Sequence, residues 1–109
     1  MAFETIVELH VGDTGTKLRR TVKDGGLPVD LTGATVTDFL ATTPKGVAKK
    51  WTASILTPPG LDGILQYVTL AGDLSEDGEW QLQVHLTLPT GDWHSAREVF
   101  KVEANLKEP

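Results

Sequence analysis

No cysteine occurs in this chain. That one absence removes disulfides, thiolate metal sites and cysteine nucleophiles together, and it suits a protein assembled in a reducing compartment. Positive charge is also scarce: 10 Lys and Arg stand against 15 Asp and Glu, for a net charge of −5. The basic residues are scattered, with Arg19-Arg20 and Lys49-Lys50 the only adjacent pairs. Nucleic-acid affinity comes largely from basic residues neutralising phosphates, so no nucleic-acid partner is expected. Long hydrophobic runs are missing as well. None approaches the roughly 20 residues of a membrane span, and the start "MAFETIVELHVGD" lacks a basic n-region and carries Glu4, Glu8 and His10. The expectation is a soluble chain with no leader and no membrane partner.

What is present is alternation. In "WQLQVHLTL", Trp80, Leu82, Val84, Leu86 and Leu88 share one face, opposite Gln81, Gln83, His85 and Thr87. Successive strand side chains point to opposite faces, so this segment is predicted to be a half-buried strand. "IVELHV" sets Val7, Leu9 and Val11 on one side, and "KLRRTV" continues with Leu18 and Val22. Further strands are expected at 34–41, 50–56, 63–69 and 98–106. Between them lie Gly25-Gly26, Pro44-Lys45-Gly46, Pro58-Pro59-Gly60, Asp77-Gly78 and Pro89-Thr90-Gly91, which supply turn geometry. At most one helical turn is expected, at 74–77. The length of 109 residues favours one domain over 1–109, with 1–4 and 104–109 extended or frayed. The predicted class is all-β: an immunoglobulin-like antiparallel β-sandwich of about seven to eight strands.

Chemistry finds no foothold in the motifs. His10, His85 and His94 lack the local paired spacing of a zinc site and are read as solvated. The turn "DLSEDG" places Asp73, Ser75, Asp77 and Gly78 like the opening of a calcium loop. Its twelfth position, which needs a bidentate carboxylate, is the core residue Val84, so a capped turn is expected instead. Ser54, Ser75 and Ser95 lie in no "GxSxG" elbow, and "GDTGTK" lacks phosphate-loop spacing. Glu76 and Asp77 are neighbours on a turn without an apolar pocket. No catalytic residue, metal ligand or cofactor is assigned, and the protein is expected not to be an enzyme. Three tryptophans remain: Trp80 belongs to the core strand, whereas Trp51 and Trp93 either cap the ends of the core or face a partner.

Taken in order, "DTGTKLRRTVKDGGLPVDLTGATVT", "PKG" and "DGILQYVTLAGDLSEDGEWQLQVHLTLPTG" resemble the N-terminal immunoglobulin-like domain of phage baseplate upper proteins. The similarity runs over about 12–102, and each fragment alone is only turn chemistry. The resemblance implies a multi-copy, non-enzymatic virion component of the tail or baseplate, assembled in the host cytoplasm and attached to other virion proteins. A capsid decoration, head-fibre or neck protein of the same fold is the alternative. One departure is local: Asp38 takes a slot that the family pattern turns inward, and Phe39 an outward one. Either a bulge shifts the register there, or Phe39 faces a partner subunit. The candidate interface residues are therefore Phe39, Trp51 and Trp93. A carbohydrate-binding module, with Trp51, Trp93 and Tyr67 stacking on sugar rings, is a reading from another class.

Overall fold

A computed structural model describes residues 9–106. The expected positions of Val7 and of the terminal stretches 1–4 and 107–109 fall outside the described residues. The described chain is all-β, with no helix. Its strands are β1 (Leu9–His10), β2 (Lys17–Thr21), β3 (Lys23–Asp24), β4 (Leu27–Pro28), β5 (Val36–Thr42), β6 (Ala48–Thr52), β7 (Ser54–Ile55), β8 (Ile64–Val68), β9 (Gly78–Leu88), β10 (Gly91–His94) and β11 (Glu98–Glu103). The helical turn expected at 74–77 is absent. Those residues are bends and irregular chain, following a turn at 70–73 that the Asp73 carboxylate closes by accepting the Leu70 N–H at 2.7 Å.

The larger sheet runs β1-β11-β9-β5-β6, with β10 also on β9, and the smaller runs β2-β8-β7. Their ladders are antiparallel except for β1 on β11. The long strand β9 organises the larger sheet because its alternation is uninterrupted: Trp80, Leu82, Val84 and Leu86 are all buried. β5 covers one of its edges from Gln81 to Thr87. Along the other edge β11 pairs with 78–82 and β10 with 85–88. Between these two partners the chain carries one extra residue. Two residues of β9 (83 and 84) stand opposite three (95–97), which is a β-bulge. Ser95 stitches it: its N–H donates to the Val84 carbonyl, its Oγ accepts the Val84 N–H, and its carbonyl accepts from Gln83 Nε2. The bulge flips side-chain parity, so Trp93 shares the inner face with Leu86, whereas Phe100 shares it with Trp80.

The smaller sheet is fed by a strand that changes partners. Trp51 points inward from β6, and at Ala53 the chain leaves β5, with the Ala53 N–H on the Thr37 carbonyl and the Thr37 hydroxyl on the Ala53 carbonyl. Ile55 then pairs with Leu65 in the other sheet. The strand expected at 50–56 is therefore two strands joined by a corner. The core lies between the sheets. Tyr67, Trp51, Trp80 and Phe100 form a row of ring contacts with centroids 5.3, 6.2 and 5.6 Å apart. Burying side chains of this size contributes about 1.5–3 kcal/mol each.

At Phe39 the structure corrects the sequence reading. β5 pairs with β9 without interruption from Val36 opposite Thr87 to Thr42 opposite Gln81, so no bulge shifts the register. Phe39 and Ala41 face the core, and Phe39 has 0 % exposure. Val36, Asp38 and Leu40 form the outer face. Their partial exposure follows from neighbours on both sides, β6 and β9.

Candidate functional site

Of the three proposed interface residues, the structure leaves only Trp93 at the surface. Phe39 is in the core. Trp51 is 5 % exposed, stacked parallel on Tyr67 at 5.3 Å and facing Trp80 on its other side. Both are removed from the interface. The same burial breaks the sugar platform, because the buried Trp51 ring stacks on the half-buried Tyr67, leaving Trp93 alone with an open ring.

Trp93 keeps 48 % exposure for a topological reason. The groove beside it is lined by Val22, Lys23, Asp24, Val29 and Asp30 and by no residue of β2, β8 or β7. What stands there is the β3–β4 hairpin. Gly25 and Gly26 both have positive φ, 59° and 83°, and form a two-residue turn whose left-handed backbone glycine adopts freely at both places. The hairpin is tied down through Val22, whose carbonyl accepts the Val29 N–H at 2.9 Å and whose own N–H reaches the Gly63 carbonyl at 2.8 Å. Between the β3–β4 and β9–β10 hairpins lies a groove of about 520 Å³. Val84, Leu86 and Leu88 line it from β9, Val22 and Val29 from the opposite side, with Trp93 between and Lys23, Asp24 and Asp30 at the border. Trp93 lies close over Gly91, where a Cβ would stand 2.8 Å from its ring.

Asp30 is held in place by Thr32, whose N–H and hydroxyl donate to one carboxylate oxygen at 2.9 and 2.5 Å. These bonds, the hydroxyl's first, keep its carboxyl below the usual carboxylate range.

On the outer face of the same hairpin the fold assembles a cluster that the sequence reading missed. His85 and His94 are direct cross-strand partners, with rings stacked nearly parallel 4.3 Å apart. His85 Nε2 lies 2.8 Å from Asp92 Oδ1, which also accepts the Thr87 hydroxyl at 2.5 Å. The Thr87 bond, then the His85 bond, lowers the Asp92 pKa. Asp38 stands opposite His85 on the other side, in β5. The signal was present in the positions: a tight turn at Pro89-Thr90 pairs 88 with 91, and hence 85 with 94. A His–Asp pair needs a hydroxyl or a bound substrate to act upon. Here the Thr87 hydroxyl donates to the carboxylate, and the Ser95 hydroxyl donates to the Ala96 carbonyl at 3.0 Å. Neither hydroxyl donates to an imidazole in this arrangement. Among the described residues, no three His, Asp or Glu side chains converge as a metal site.

The acidic turn that resembles a calcium loop already holds a cation of its own. Lys49 faces inward opposite Ala41, and its ammonium donates to the Gly72 carbonyl, the Asp73 carbonyl and Ser75 Oγ at 2.9–3.0 Å, 5.6 Å from the Trp80 ring centroid. The Asp73 carboxylate turns elsewhere and accepts the Tyr67 hydroxyl at 2.5 Å. Comparison with known proteins finds no matching family model, no matching curated protein and no matching solved structure.

Proposed function

We propose that this protein is a non-enzymatic bacteriophage virion component: an immunoglobulin-like attachment module of the tail or baseplate, present in many copies and docked on other virion proteins. The observation that carries the reading is the ordered set of segments from "DTG" through "PVDLTG" to "AGDL", which resembles one family of such modules. The strand order supports it. β2-β8-β7 follows the B-E-D order of an immunoglobulin sheet, and β11-β9-β5-β6 follows G-F-C-C′, with β1 added at the outer edge. A half-exposed tryptophan beside an apolar groove fits a docking role, since buried aromatic anchors dominate binding at interfaces.

Particles purified from the host that produces this chain test the reading. Mass spectrometry is expected to find the chain at a fixed, multi-copy ratio to the major particle proteins, and a density map to place it against a larger subunit. Absence of the chain from banded particles, together with a monomeric free protein, rules the reading out.

A further inference from the structure

The groove has a chemistry more specific than "apolar", and it names the partner. We propose that the cleft between the β3–β4 and β9–β10 hairpins binds a protein segment that presents an apolar side chain next to an arginine or lysine. The inference rests on the docking role proposed above and specifies what docks.

The floor takes the apolar group. Val84, Leu86 and Leu88 project from one face of β9 into about 520 Å³, room for one or two large aliphatic side chains. Val84 and Leu86 are already buried beneath it, so what an occupant covers is the half-buried Leu88 and Val29 and the open Trp93 ring. Trp93 then supplies the second half of the recognition. Its ring is anchored over Gly91 yet keeps nearly half of its surface, and an indole face attracts cations, arginine most often.

Charge at the border agrees with a basic guest. Asp24 and Asp30 stand on the β3–β4 side and only Lys23 opposes them; the remaining lining residues add no further carboxylate or ammonium. Asp30 is immobilised by its two bonds from Thr32, so its charge is presented without a further ordering cost. The net charge of −5 favours approach of a basic segment over an acidic one.

Selection of a random dodecapeptide display library on the whole protein tests this. The expected winners converge on an aliphatic or aromatic residue adjacent to arginine or lysine. Their synthetic versions are expected to lose about tenfold in affinity with Trp93→Ala. With the exposed pair Asp24→Asn and Asp30→Asn they are expected to lose several-fold, and to weaken as salt is raised. A selection with no convergent winner overturns the proposal, as do winners that are acidic or uncharged, or binding indifferent to both sets of substitutions. The asparagine pair lies on the surface and leaves the core untouched, so it reads out even if the tryptophan variant folds poorly. Because particle incorporation is measured separately, a chain found in virions whose groove fails this test keeps the docking role and loses only this surface.

Discussion

Arg20 Nη2 lies 2.7 Å from Glu98 Oε1, and this ion pair crosses the core from the smaller sheet to the larger. Both residues point inward by strict alternation: Arg20 between Leu18 and Val22, and Glu98 opposite Leu82. Burial pulls the Arg20 pKa below its ordinary value, and the Glu98 charge opposes that pull. Removing one partner leaves the other charge in a place with little water. Glu98→Ala is expected to cost about 3 kcal/mol in urea unfolding. The double change Arg20→Met with Glu98→Leu is expected to recover most of that loss, because it removes both desolvation costs. A double variant no more stable than Glu98→Ala contradicts this account.

Tyr67 is the one tyrosine of the chain, so its titration is readable without assignment. Burial first, then its hydrogen bond to Asp73 and the negative charge of that carboxylate, pushes its pKa up to about 12. The sign follows from which form the fold prefers. The neutral phenol is favoured in the folded state, so the contribution to stability is fully present below the unfolded value near 10 and is lost as pH rises from there towards 12. Absorbance at 295 nm is expected to show a midpoint well above that of free tyrosine. Asp73→Asn is expected to lower that midpoint. A midpoint near 10 in the folded protein rules out the arrangement.

The register of β5 gives a third contrast. Phe39→Ala empties a fully buried site between Trp51 and Val84, its partners in β6 and β9, and is expected to cost about 3–5 kcal/mol. Asp38→Ala, one position away on the outer face, is expected to stay within about 1 kcal/mol. If the costs were reversed, Asp38 would be the inward residue, as a one-residue slip would make it.

These cases also mark how far the sequence could be read. β9 was legible because its apolar and polar residues alternate without a fault from Trp80 to Leu88. The all-β class and most turn positions followed from the same kind of local pattern. Leu18 and Val22 were legible on the inner face of β2, but the inward Arg20 between them was not, because a buried charge is recognised only through a partner, and Glu98 is 78 positions away. Val36 and Leu40 misled in β5. They are apolar on an outer face shielded by strands on both sides, so composition pointed the wrong way and the pairing with β9 decided. Trp93 and the His85–His94 pair follow from the register of the Pro89-Thr90 turn, whereas the opposite parity of Phe100 depends on the bulge at Ser95, where one extra residue reverses parity between β10 and β11. Periodicity within a single strand does not register an insertion between two.

That parity gives the last prediction. Trp93 and Gly91 lie two residues apart on the same inner face, and the ring occupies the space in which a Cβ at position 91 would stand. The obstruction is the far end of a surface side chain rather than backbone, so Gly91→Ala is expected to displace the ring and leave the fold intact. Trp51 and Trp80 are buried, so iodide quenching of tryptophan fluorescence reports mainly on Trp93. Gly91→Ala is expected to make that emission more quenchable while thermal stability changes by no more than about 1 kcal/mol. It is also expected to weaken the peptides that bind the groove, without touching any carboxylate or floor residue. Unchanged quenching with unchanged binding would mean that Trp93 holds its position without the space over Gly91, and the wall of the groove would need another origin.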